Sequence, residues 1–147
     1  MYHTILVPLD GSKRAEAILP HVHKIMRSGG SKVVLLTALE PKVVAGSLHV
    51  QPQEEALETD QQIRSSEVYL ENLADDFFRR DVHAEFKVVI GSPVETIIKV
   101  AEEIDADLIA IASHGRSGLS RVFYGSIAAG VLAAVDRPLL LVRSRSL

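Results

Sequence analysis

The 147-residue chain has no cysteine, which excludes a disulfide framework, a cysteine-ligated zinc or iron–sulfur site and a thiol nucleophile. It also lacks a basic excess. Lys and Arg number 16 against 19 Asp and Glu, for a net charge of -3, so the attraction that drives general binding to DNA, RNA or anionic membrane is missing. No apolar run approaches the 18 or so residues of a membrane span, and Met1-Tyr2-His3 leads straight into a strand-like segment without a basic n-region. These absences point to a soluble cytoplasmic protein. A Gly-Lys-Ser/Thr phosphate loop and a Gly-x-Gly-x-x-Gly fingerprint are absent as well.

What the chain has is a core. Hydrophobic residues make up 47%, and a domain of this length buries roughly two-thirds of its unfolded surface, so one domain over residues 1–147 is expected. Five apolar runs stand out: Thr4 to Leu9, Lys32 to Leu39, Val82 to Ile90, Asp107 to Ala112 and Pro138 to Arg143. Helical periodicity fills the gaps between them. Ala15, Ile18, Leu19, Val22, Ile25 and Met26 form one apolar face, with Gly29-Gly30 as its expected stop. A second helix is predicted from about Ala56 to Arg80, a third from the cap-and-proline pair Ser92-Pro93, and a fourth from near Ser126 to Val135. Alternating strands and helices imply an α/β fold, a single-domain, doubly wound five-stranded parallel sheet with helices on both faces.

Composition also orders the strands. The runs ILVPL, VVLLTAL and LIAIA are nearly continuous in apolar residues, as expected of interior strands buried on both faces. Val82 to Val88 alternates and reads as an edge. Leu139 to Val142 is fully apolar; it is either an exposed edge that pairs with a second copy, giving a homodimer, or a central strand or one covered by a helix. The stretch Glu40 to Glu55 has two prolines, a glycine and no clear period, and is expected to be the longest irregular connection.

In such a sheet ligands bind beyond the C-terminal strand ends, where the strand order reverses. After the first strand comes Pro8-Leu9-Asp10-Gly11-Ser12, and after the fourth comes Ala112-Ser113-His114-Gly115-Arg116, leading on to Gly125-Ser126 at a helix start. Free N–H groups at that start favour an anion without any basic excess.

The segments ILVPLDGS, SHGRSGLSRVFYGS and RPLLLV closely resemble the universal stress protein family, over essentially the whole chain. The nucleotide-binding branch of that family carries Gly-x2-Gly-x9-Gly-Ser/Thr. Gly115, Gly125 and Ser126 match its later positions, whereas Ala112 stands in place of the first glycine. The resemblance implies a Rossmann-like fold of the adenine nucleotide alpha hydrolase type. It implies an adenine base near Pro8, Leu9, Ala38 and Leu39, a ribose near Asp10 and the Ala112 backbone, and phosphates near the amides of Gly115, Gly125, Ser126 and Ile127. Ser113, His114 and Arg116 belong to the same binding segment, with Arg116 either screening phosphate or solvated. The implied ligand is ATP or AMP, or cyclic AMP, with Mg2+ accompanying ATP. The implied role is that of a dimeric stress-response module, not an enzyme. Two alternatives stand beside it: a slow ATPase or self-phosphorylating enzyme, and a ligand-free dimerisation protein.

Other constellations carry plainer readings. His21 and His23 are two apart on a helix and point to different sides, which argues against a metal pair, and His3, His49 and His83 are scattered. The acids Glu54, Glu55, Glu58 and Asp60 suit the solvated start of a helix. A two-component receiver domain fails on residues, because the third run ends in Val89-Ile90-Gly91, with no phosphoacceptor aspartate.

Overall fold

A computed structural model describes residues 2–26, 30–41, 52–115 and 126–145. Its strands are β1 (Thr4–Pro8), β2 (Lys32–Leu39), β3 (His83–Ile90), β4 (Leu108–Gly115) and β5 (Leu139–Arg145). Its helices are α1 (Leu19–Ile25), preceded by a 3-10 turn over Ala15–Ile18, α2 (Pro52–Arg79), α3 (Pro93–Glu103) and α4 (Ser126–Ala134). The strands form one parallel sheet in the order β3-β2-β1-β4-β5. The three continuous apolar runs are thus the interior strands. Both β3 and β5 are edges, so the apolar last strand is not a central one.

Two apolar layers sandwich the sheet. On one face Ile5, Val7, Val33 and Leu35 pack with Val22 of α1 and Leu70 and Phe77 of α2. On the other, Leu6, Val34, Ile109 and Ile111 pack with Ile97 and Val100 of α3 and Val131 of α4. Period-2 alternation divides each strand between the layers. Arg137, whose side chain is mostly buried, closes α3 by donating from Nη1 to the carbonyls of Ala101 (3.0 Å) and Ala106 (2.7 Å). Among the described residues no helix is long and apolar enough to cross a membrane.

Several boundaries differ from expectation for physical reasons. The first helix stops at Ile25, before Gly29-Gly30, because Met26 turns to extended backbone (φ -82°, ψ 140°) and is buried in the core. Helix α2 begins at Pro52, four residues before Ala56, with a proline at its first position, where no N–H is needed. Ser92 is the N-cap residue of α3 but makes no side-chain cap bond. Strand β4 runs on to Gly115 because β5 supplies a ladder as far as Gly115 and Arg145, so Ser113, His114 and Gly115 are strand and not loop. Most of the irregular connection, residues 42–51, lies outside the described residues, as do Arg116 and Gly125.

Pro8 decides where the sheet opens. The Leu9 N–H donates to the Leu36 carbonyl at 2.8 Å, so by alternation the backbone of Pro8 faces β4, to which it has no N–H to offer. Strands β1 and β4 pair only at Ile5–Leu108 and Leu6–Ile109, whereas β1 follows β2 through Pro8 and Leu36. Beyond Leu6 the two central strands part. That parting lies where the strand order reverses, at the C-terminal ends.

Candidate functional site

The crevice between the ends of β1 and β4 has a volume of about 70 Å3. Pro8, Leu9 and Asp10 form one wall and Ala112 another, with Ala38 at the end of β2 and Ile127 from the first turn of α4. Apart from Asp10 the lining is apolar. Leu36, Ile111, Ala15, Pro93 and Ile97 complete it. Pro93 and Ile97 stand four apart on α3 and therefore share a face. Their sequence signals, a helix start and a core stripe, hold equally for any packed helix and do not reveal that they also wall a crevice.

The turn after β1 is tightly determined. Gly11 adopts φ +87° with open space where a Cβ would stand, so its glycine serves backbone conformation and not close packing. Asp10 Oδ1 accepts the Ser12 N–H at 2.9 Å and the Ser12 hydroxyl at 2.6 Å. Ser12 Oγ in turn accepts the Ala15 N–H at 3.1 Å, capping the 3-10 turn. Behind the turn, the buried Thr37 hydroxyl donates to the Leu9 carbonyl at 3.0 Å, tying the ends of β1 and β2 together.

Asp10 brings negative charge to the lining, and that charge acts on Tyr69. Tyr69 of α2 donates its phenol to Glu16 Oε2 at 2.9 Å. Burial above all, then this bond and the negative charges of Glu16 and Asp10, hold the phenol proton on well above the usual tyrosine range. On the opposite side stands the start of α4, whose N–H groups and dipole present positive potential.

Six of the expected site residues therefore line one crevice: Pro8, Leu9, Asp10, Ala38, Ala112 and Ile127. Ser126 opens α4 and is exposed, and Ser113 follows Ala112 in β4 and is buried. His114 and Gly115 pair with Ser144 and Arg145 of β5. Leu39 departs from the group. It lies one step past Ala38, so its side chain takes the opposite face and lines a separate polar hollow of about 580 Å3 with Glu40, Gln61 and Gln62. A further hollow of about 500 Å3 lies at the other end of the sheet, around His3, Lys32 and His83. Both are larger than the crevice, but neither combines apolar walls with a helix start.

The model of the universal stress protein family matches residues 1–143. The chain belongs to this family. It is 28% identical over 160 residues to the universal stress protein MJ0577 of Methanocaldococcus jannaschii, covering 99% of this chain and 98% of that protein. The solved structure of MJ0577 superposes with a TM-score of 0.83 at 26% identity, over 100% of this chain and 99% of the other. Two more distant neighbours share the universal stress protein fold. The protein from Archaeoglobus fulgidus in complex with dAMP has a TM-score of 0.61 at 20% identity, covering 96% of this chain and 98% of that one. A family member from Arabidopsis thaliana with AMP bound has a TM-score of 0.69 at 17% identity, covering 98% and 93%.

Proposed function

We propose that this universal stress protein binds an adenine nucleotide, ATP or AMP, in the crevice between β1 and β4, and that it acts as a regulatory module of the stress response without turnover. The observation that carries this reading is the crevice itself: apolar walls from Pro8, Leu9, Ala38 and Ile97, with the Asp10 carboxylate at the mouth. A flat, weakly polar ring suits the walls. Sugar hydroxyls suit Asp10, because a carboxylate accepts hydrogen bonds that hydroxyls donate. At about 70 Å3 the crevice is well below the roughly 300 Å3 at which ligand pockets begin, so only the ring enters it and the phosphates lie toward α4. The AMP and dAMP complexes of family members support the same ligand class. Among the described residues no group of three or more His, Asp or Glu is placed to hold a metal. Mg2+ arriving with ATP would therefore be held chiefly by the phosphates and water.

Binding without catalysis fits the hydroxyl nearest Asp10. The Ser12 hydroxyl donates to that carboxylate and accepts the Ala15 N–H, a use that shapes the turn after β1. Dimerisation through β5 belongs to the same reading. Ile109 N–H donates to the Pro138 carbonyl, so Pro138, Leu140 and Val142 turn their backbone groups toward β4 while Leu139, Leu141 and Arg143 turn theirs outward, as a pairing edge.

The test is direct. Purified protein, denatured and analysed by mass spectrometry, is expected to release an adenine nucleotide. Empty protein that shows no thermal shift with ATP or AMP would overturn the reading.

A further inference from the structure

We infer that the hollow at the N-terminal ends of the strands is a second ligand site, one that takes an α-amino acid with an aromatic side chain. The inference is independent of the nucleotide reading, because the crevice lies at the opposite ends of the strands.

Position comes first. His3 precedes β1, Lys32 opens β2 and His83 opens β3, and the three line one hollow with Phe78 and Asp81 from the end of α2. At about 500 Å3 it falls inside the roughly 300–1,000 Å3 range of small-molecule sites.

Asp81 decides the chemistry. The Val82 N–H donates to the Phe77 carbonyl and the Asp81 N–H to the Phe78 carbonyl, both at 3.0 Å. These are the bonds of a Schellman cap, and Asp81, at φ +61°, holds the left-handed position that glycine or asparagine usually takes. An aspartate is disfavoured there twice. Its Cβ makes left-handed backbone costlier than glycine does, and its charge stands at the negative end of the helix dipole. Among the described residues no hydrogen bond or ion pair to its carboxylate offsets these costs. A residue that breaks local rules without a structural gain marks a functional position. A carboxylate lining a hollow at a helix C-terminus suits an ammonium group.

The other walls complete the match. Lys32 Nζ stands 3.7 Å from Glu85 Oε2, too long for a hydrogen bond, so the side chain keeps its donors for a ligand carboxylate. His83 Nε2 meets Glu85 Oε1 at 3.3 Å and His3 Nδ1 meets the Gly30 carbonyl at 3.4 Å, which leaves each ring its other nitrogen. Phe78 is 54% exposed, and its ring meets that of His83 edge to face with centroids 5.9 Å apart. Its open surface offers a ligand ring an aromatic partner. An aromatic amino acid brings the ammonium, the carboxylate and the ring together.

An amide chemical-shift titration of the full chain with L-phenylalanine tests the site. Saturating shifts are expected at His3, Lys32, Phe78 and His83, with Asp10 and Ala112 unmoved. Phenethylamine, which lacks the carboxylate, and hydrocinnamate, which lacks the ammonium, should each bind on the order of ten-fold more weakly. Asp81→Asn should lose L-phenylalanine affinity by a similar factor while its melting temperature stays equal or rises, since asparagine suits the cap and removes the charge. Phe78→Ala should also weaken binding. The absence of saturating shifts overturns the inference, as do shifts centred on the crevice, equal binding of either fragment, or full affinity in Asp81→Asn or Phe78→Ala.

Discussion

Ser12 Oγ donates to Asp10 Oδ1 at 2.6 Å and accepts the Ala15 N–H at 3.1 Å. One serine therefore orients the carboxylate at the crevice mouth and starts the helical segment behind it. On the nucleotide reading, binding and local stability are coupled through that hydroxyl.

Ser12→Ala is expected to cost about 1 kcal/mol, the usual value of a lost cap, and to weaken AMP binding because Asp10 loses a fixed partner. Ser12→Thr keeps both bonds and should behave like the wild type. Urea unfolding and AMP titration of the two variants check this; an alanine variant equal to the wild type in both would contradict it.

Gly130 lets α3 and α4 approach. A Cβ at this position would stand 2.7 Å from Val94 Cγ2 and 3.3 Å from Cγ1, both branches of a stiff β-branched side chain. In an open helix Gly→Ala gains about 1 kcal/mol, but overpacking costs about 1–3 kcal/mol. Gly130→Ala should therefore destabilise the wild-type chain and stabilise the Val94→Ala chain. The double-mutant cycle decides; the same sign in both backgrounds would show that the contact does not control the crossing.

His23 makes stability depend on pH. Its ring lies 4.3 Å from that of Phe77, centroid to centroid, and its Nδ1 is buried without a partner. Burial lowers its pKa below the ordinary 6.5, the Arg80 charge acts in the same direction, and Asp76 opposes. The unfolded chain thus takes up a proton near pH 6.5 that the folded chain resists. The stability that neutral His23 contributes is complete above that pH and is lost as pH falls below it. Urea midpoints at pH 7.5 and 5.5 should fall further for the wild type than for His23→Gln. Equal falls would remove His23 from the explanation.

Residues whose packing is local to one strand or helix were legible in the sequence. Continuous apolar runs marked β1, β2 and β4 as interior, and alternation marked β3 as an edge. Asp10 and Ala112 follow strand ends, which form the crevice at a reversal point in any such sheet, whereas Ala38 comes only from the family resemblance. What escaped depends on distant partners. The extension of β4 through Gly115 follows from the β5 ladder, and Met26 leaves α1 to enter the core. Alternation places the Ala38 and Leu39 side chains on opposite faces; which face holds the crevice is visible only once α2 and α3 are docked. Pro93 and Ile97 carry ordinary helix signals, so their part in the lining was hidden.

Strand β5 turns the backbone groups of Leu139, Leu141 and Arg143 outward, and the Arg143 side chain is exposed. Arg143→Pro removes one outward N–H without emptying the core. Sedimentation is expected to show a dimer for the wild type and a monomer for Arg143→Pro, with AMP binding retained. A monomeric wild type, or a variant that remains dimeric, would move the interface away from this edge.

The most direct test of the nucleotide reading is an amide chemical-shift titration of the protein with AMP. The predicted result is a saturating set of shifts at Leu9, Asp10, Ala38, Ala112 and Ile127, with His3, Lys32 and His83 at the far end of the sheet unmoved. No shifts at saturating AMP, or shifts confined to the far end, would contradict it.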